Sequence, residues 1–149
     1  MIPALVRRSA PLAAALLLAA ALPAQAADRV PHLPFKQAVD AGLASGKLDG
    51  SVKFHLAGSG PKGTVLRAGI VSNKKTNGVG KSDENACLWA AQSALISLQE
   101  AAKKQGANAV TNIVSFFRKN EYRNATNFEC HAGNIMVGVA LKGDLVKTR

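Results

Sequence analysis

The N-terminal segment limits which residues of this chain can belong to its folded domain. The first eight residues carry two arginines and no acid, and residues 10–22 are apolar and uncharged. Ala24-Gln25-Ala26 then supplies the small-x-small pattern of a signal-peptidase site. A membrane anchor is the competing interpretation, but a spanning helix needs about 20 apolar residues and this run is shorter. We therefore predict a cleavable signal peptide at 1–26 and a single periplasmic domain at 27–149.

The predicted mature domain is strongly basic. The whole chain has 19 Lys and Arg against 9 Asp and Glu, so removing Arg7 and Arg8 lowers the formal charge from +10 to +8. A positive field favours polyanions. For an exported protein we expect the polyanion to be an anionic envelope component, such as lipid head groups, lipopolysaccharide or wall polymers, rather than nucleic acid. The alternative is a basic surface with no dedicated partner, or an unknown protein as the partner.

Two cysteines, Cys87 and Cys130, are the only ones in the chain. An even number in an oxidising compartment indicates one disulfide. A redox-active pair or part of a metal site are the alternatives. Redox pairs usually follow a Cys-x-x-Cys pattern, which is absent from the sequence.

Hydrophobic periodicity predicts the order α-β-β-α-β-β. The helices are expected at Phe35–Ser45 and from the N-cap Ser82 to about Lys104, with Gly106 ending the second. The strands are expected at Ser51–Ala57, Thr64–Ser72, Ala107–Phe117 and Thr126–Leu141, the last interrupted at Gly133. This order predicts an α+β fold of two layers, with one long helix packed on a small, mainly antiparallel sheet of two hairpins.

Two glycine-containing segments imitate nucleotide-binding motifs. Gly58–Gly63 fits the dinucleotide fingerprint, but a strand follows it where the motif requires a helix. Gly80-Lys81-Ser82 resembles the end of a P-loop, but Lys75 occupies the position of the first glycine. The sequence therefore does not support an ATPase role, including one in excision repair.

The three histidines show no ligand spacing. His32, His55 and His131 are far apart in sequence, and each is predicted to lie at the surface. No nucleophile elbow and no paired acids in an apolar setting are visible. We therefore predict no metal, no cofactor and no catalytic residue.

The best candidate for a partner surface is the charged turn after the third strand. Phe116 and Phe117 precede it, and its exposed residues are expected to be Arg118, Lys119, Tyr122 and Arg123. Aromatic and cationic side chains in one segment are typical of polyanion-binding surfaces. The alternative is a strand that ends with core aromatics, followed by a solvated turn.

The second half of the chain resembles a known group of exported proteins. The resemblance rests on Cys87 before an Ala-rich helix, on Ala107-Asn108-Ala109-Val110, on Glu129-Cys130-His131-Ala132-Gly133 and on Gly138-Val139-Ala140-Leu141. These segments are similar to the RcsF-like envelope-stress sensors and the wider YbjQ-like group. Some uncharacterised relatives of that kind carry an excinuclease-subunit label.

The resemblance implies a helix packed on a small sheet and a disulfide between Cys87 and Cys130. RcsF-like sensors also have a second disulfide and a lipid anchor, and neither is expected here. The first hypothesis is therefore a non-enzymatic, envelope-associated binding domain. The second is a YbjQ-like oligomer that binds a ligand or a metal, and an enzyme is a distant third.

Overall fold

A computed structural model describes residues 28–149, so the predicted signal peptide and its cleavage site after Ala26 lie outside the described residues. The described part holds two α-helices, one 3-10 turn and seven strands. The helices are α1 (Phe35–Ala44) and α2 (Asp83–Gln105), and the 3-10 turn is Phe117–Lys119. The strands are β1 (His32–Pro34), β2 (Lys53–Leu56), β3 (Thr64–Asn77), β4 (Ala109–Ser115), β5 (Asn127–Glu129), β6 (His131–Ala132) and β7 (Met136–Lys147).

The strands form two sheets, so the fold mixes α and β structure as predicted. The larger sheet has the order β2-β4-β7-β3, and β6 pairs with β7 beside β4. The smaller sheet is the antiparallel pair β1-β5. Within the larger sheet only the β2-β4 pairing is parallel.

The prediction that β2 and β3 form a hairpin is wrong. β2 pairs with β4 in parallel, and β3 pairs with β7. A parallel pair needs a long crossover connection, and the chain supplies one through β3 and α2. The connection 57–63 between β2 and β3 contains Pro61 and is longer than the two-residue turns of tight hairpins.

Two strands are longer than predicted, and the interval 73–81 between the predicted second strand and second helix is correspondingly shorter as a loop. β3 continues to Asn77 and β7 to Lys147, because the two pair with each other from Thr64↔Lys147 to Asn77↔Met136. The polar residues at the end of β3 belong to an edge strand, where side chains can face solvent while the backbone pairs. Polarity alone therefore indicated a loop where the structure has a strand.

Helix α2 has the ends that its sequence predicts. The Ser82 side chain accepts a hydrogen bond from the backbone N–H of Asn85, and Gly106 ends the helix in the left-handed conformation. Ala90, Ala94, Leu95 and Leu98 on the apolar stripe are fully buried. The helix contacts β3 and β7. None of the helices in residues 28–149 combines the length and the apolar content that crossing a membrane requires.

A disulfide joins α2 to the strand region below it. The Sγ atoms of Cys87 and Cys130 lie 2.07 Å apart, and their Cα atoms 5.8 Å apart. Cys87 lies in the first turns of α2, as expected, but Cys130 lies between β5 and β6 rather than in the middle of one strand. Both residues are fully buried and belong to the main hydrophobic cluster.

The far end of α2 is tied to the loop after α1. Lys103 Nζ lies 2.8 Å from Asp49 Oδ2, and this contact holds the pKa of the Asp49 carboxyl well below its usual value. The Gln99 side chain accepts a hydrogen bond from the Asp49 backbone N–H at 3.0 Å. The helix is therefore fixed at its first turns by the disulfide and near its last turn by polar contacts.

Candidate functional site

The predicted charged turn adopts an unusual backbone. Arg118 and Lys119 have φ angles of 51° and 64°, in the left-handed region that favours glycine. The turn is held by hydrogen bonds from the backbone N–H of Lys119 to Phe116 and from that of Asn120 to Phe117. Ser115 and Tyr122 exchange two backbone hydrogen bonds across its base, at 3.0 and 2.9 Å. These backbone hydrogen bonds fix the direction in which the side chains of Phe117 and Arg118 extend from the backbone.

The turn begins a continuous row of side chains, which we call the aromatic row: Phe117, His131, Glu129, His32 and Tyr122. The rings of Phe117 and His131 stack with centroids 3.8 Å apart, and those of His32 and Tyr122 stack at 4.5 Å. The Glu129 carboxylate joins the two pairs. Its oxygens accept from Nε2 of His131 at 2.7 Å and from Nε2 of His32 at 3.3 Å.

Strand register places the Phe117 end of this row over the sheet. Lys75 on β3 and His131 on β6 both pair with Gly138 on β7, so the three residues form a line across three strands. Residues directly opposite each other in a sheet share a face. A Cβ at Gly138 would lie 3.1 Å from Cε2 of Phe117, so this glycine lets the ring lie close to the strand.

A cavity of about 360 Å³ opens at this position, and we call it the cationic cleft. The lining combines two cations, a carboxylate, an imidazole, an amide, an aromatic ring and apolar side chains. The residues that line it are Asp28, Lys75, Phe117, Arg118, His131, Gly133, Asn134, Ile135, Met136 and Gly138.

The cleft carries an excess of positive charge. The cations of Lys75 and Arg118 form no ion pair with any carboxylate in residues 28–149. The guanidinium of Arg118 lies 5.2 Å from the Phe117 ring centroid. Asp28 contributes the carboxylate of the lining. Two cations against one carboxylate leave the cleft able to attract an anionic group.

An ion pair beside the cleft adds no net charge to it. Arg29 Nε donates to Asp83 Oδ2 at 2.5 Å, and its guanidinium also reaches Asn134 Oδ1 at 3.3 Å. The hydrogen bond with Arg29 lowers the pKa of the Asp83 carboxyl. Arg29 thereby links the start of α2 to the loop that supplies Asn134.

The four residues predicted as a partner surface do not form one patch of free charge. Arg118 lines the cleft, whereas Tyr122 is half-buried in the aromatic row. Arg123 donates to Asn112 Oδ1 at 3.3 Å. Lys119 is exposed in the turn but does not line the cleft.

The prediction of three surface histidines is correct only in part. The side chain of His131 is 20% exposed and that of His32 39%, and both belong to the aromatic row. His55 is half-buried at the Gly58–Gly63 loop, where a Cβ at Gly60 would lie 2.5 Å from its Cγ. Within residues 28–149 no group of His, Cys, Asp and Glu is arranged to hold a metal ion.

Sequence reasoning missed Lys75, His131 and Asn134 as members of the site. They lie on β3, on β6 and in the following loop, and only the pairing of β3, β7 and β6 brings them together. The sequence contains one usable signal, the Lys74-Lys75 pair in the polar segment that follows the predicted second strand.

A second cavity near the other end of β3 is also basic. It measures about 490 Å³ and is lined by Lys62, Lys147 and Arg149 among others. Its lining contains no aromatic side chain and no histidine. This cavity, which we call the terminal cleft, is therefore a natural comparison for the cationic cleft.

Comparison of the chain with protein-family models, with curated proteins and with solved structures finds no match to any of them.

Proposed function

We propose that this protein is a non-enzymatic, exported binding domain whose cationic cleft takes an anionic group of an envelope component. The observation that carries the proposal is the pair Lys75 and Arg118, which face one cavity without a carboxylate partner in the described residues. Charge-assisted hydrogen bonds from such cations are the strong contacts of phosphate and carboxylate recognition.

The conformation of Arg118 supports a binding role. A non-glycine residue in the left-handed region is strained, and strained residues cluster at binding and catalytic sites. With φ at 51°, the Arg118 backbone places the guanidinium of this residue beside the Phe117 ring. Arginine placed beside an aromatic ring offers a planar group of hydrogen-bond donors to an oxyanion.

Contacts among the other lining residues of the cleft hold its wall in place. Both histidine Nε2 atoms of the aromatic row are engaged by the Glu129 carboxylate. This arrangement fixes the His131 ring against Phe117 and makes a rigid wall for the cleft. We therefore assign His131 a positioning role, with Asn134 as an additional hydrogen-bonding group.

The periplasmic location remains part of the proposal. The disulfide between Cys87 and Cys130 supports it, because disulfides persist in oxidising compartments. We also propose the two-layer arrangement of helix on sheet, which the contacts of α2 with β3 and β7 support.

Calorimetric titration of the purified protein with pyrophosphate, a compact soluble anion, tests the proposal. We expect binding that weakens steeply with salt, because screening acts over about 10 Å at 0.1 M ionic strength. Arg118→Ala and Lys75→Ala should each lower the affinity about tenfold, since a hydrogen bond to a charged group contributes about 1.5–3 kcal/mol. Phosphorus NMR should show intact pyrophosphate after the titration.

Lys147→Ala is the matched control, because it removes one cation from the terminal cleft. It should leave the affinity unchanged. The proposal is wrong if Lys147→Ala abolishes binding while Arg118→Ala and Lys75→Ala do not. Hydrolysis of pyrophosphate by the protein would contradict the non-enzymatic assignment.

A further inference from the structure

Three large apolar side chains are exposed together beside the cationic cleft. Val79, Ile135 and Met136 are 61%, 66% and 48% exposed, and we call them the apolar tip. Val79 lies in the β3–α2 loop, whereas Ile135 and Met136 lie where the β6–β7 loop enters β7. The backbone N–H of Gly78 donates to the Ile135 carbonyl at 2.7 Å. The two loops are thus fixed to each other, so the tip is one structural feature.

Cations surround this tip. Ile135 and Met136 also line the cleft that holds Lys75 and Arg118. Lys81 lies in the same loop as Val79, and its Nζ donates to the Asn77 carbonyl at 3.0 Å. Asp28 is the carboxylate in the cleft lining, and Asp83 at the start of α2 is paired with Arg29.

We propose that this end of the molecule docks on an anionic phospholipid surface. The apolar tip enters the boundary between head groups and acyl chains, and Lys75, Lys81 and Arg118 contact lipid phosphates. The inference rests on the proposed function, because it names membrane lipid as the source of the anionic group in the cleft. Exposed apolar side chains bordered by basic residues are the combination that binds anionic interfaces.

Charge complementarity distinguishes the membrane from a second copy of the chain. Two tips packed against each other would bring Lys75, Lys81 and Arg118 close to the same cations of the partner molecule. Like charges at an interface oppose association. An anionic lipid surface neutralises these cations while it also covers the apolar side chains.

Sedimentation with lipid vesicles tests the inference. Protein purified after export is mixed with vesicles of phosphatidylglycerol and phosphatidylethanolamine, or of phosphatidylcholine alone. We expect binding to the anionic vesicles only, with a steep dependence on salt. The double variant Ile135→Ser/Met136→Ser should bind about tenfold more weakly, because it removes the apolar part of the contact. Lys81→Ala should also weaken binding.

Val65→Ser is the matched control, since Val65 is 54% exposed near the opposite end of β3. It should bind the vesicles like the unchanged protein. Absence of binding to anionic vesicles, equal binding to phosphatidylcholine, or full binding by the double variant would each overturn the inference. All variants have the same N-terminus as the unchanged protein. Differences in vesicle binding among them therefore arise from the substituted side chains.

Pyrophosphate titration separates this inference from the proposed function. Val79→Ser should weaken vesicle binding but bind pyrophosphate like the unchanged protein, because Val79 belongs to the apolar tip and does not line the cationic cleft. If the unchanged protein binds pyrophosphate but does not bind vesicles, the membrane is rejected as the partner. The cleft would then keep its proposed role in binding an anionic group. Failure of both would reject the proposed function as well. A dimer in analytical ultracentrifugation that the double variant abolishes would also overturn the inference, in favour of self-association.

Discussion

The 3-10 turn holds two consecutive cations in a backbone conformation that favours glycine. For an L-residue this conformation is less stable than the right-handed one by about 1–2 kcal/mol. The hydrogen bonds of the turn and the backbone pairing of Ser115 with Tyr122 keep it in place. Arg118 therefore combines a strained backbone conformation with a guanidinium that lines a cavity and has no ion-pair partner in residues 28–149.

Replacing Arg118 separates stability from binding. Arg118→Gly should be more stable than Arg118→Ala by about 1 kcal/mol, because only glycine adopts the left-handed conformation without strain. Urea unfolding measures this difference, and both variants should bind pyrophosphate about tenfold more weakly than the unchanged protein. Lys119→Gly is the control, since Lys119 has φ 64° but does not line the cleft, and it should keep the affinity. An alanine variant as stable as the glycine variant would contradict the strain argument.

Single residues also show what could be predicted and what could not. Arg118 was predicted because its charge follows two aromatics in the sequence. Lys75 and His131 could not be assigned to the same site, because their approach depends on the shared pairing with Gly138. Non-local register of this kind has no local signal in one sequence.

At the scale of elements, the helices were more predictable than the strand pairing. The limits of α2 follow from the Ser82 cap and the left-handed Gly106, and both are local features. The partner of β2 is β4, which lies beyond β3 and α2 in the chain. Strands adjacent in sequence pair or neighbour each other only about two-thirds of the time, so the hairpin assumption failed here.

The disulfide joins two cysteines that are 43 residues apart in sequence, one in α2 and one between β5 and β6. Cys87→Ser and Cys130→Ser should each lower the free energy of unfolding by roughly 2–5 kcal/mol, mainly through the greater freedom of the unfolded chain. The double variant should lose about the same amount, because both changes remove one link. Denaturant unfolding measures the values. Two free thiols in protein purified without reductant, or single losses that add in the double variant, would contradict this explanation.

At the scale of the whole molecule, two basic clefts lie towards opposite ends of β3, where Thr64 lines one and Lys75 the other. Thr64 and Lys75 are eleven residues apart along β3, which corresponds to roughly 36 Å. Net charge alone attracts polyanions to both ends. The cationic cleft, unlike the terminal cleft, is lined by an aromatic ring and a histidine that stack on each other. We therefore propose that anions bind at this end of the molecule rather than over its basic surface in general.

Amide chemical-shift mapping by NMR tests this central claim most directly. Pyrophosphate is titrated into ¹⁵N-labelled protein, and the affected backbone amides are assigned. We expect the largest shifts at residues that line the cationic cleft: Lys75, Phe117, Arg118, His131, Gly133 and Asn134. Shifts centred instead on Lys62, Lys147 and Arg149, or small shifts spread evenly over all exposed lysines, would contradict it.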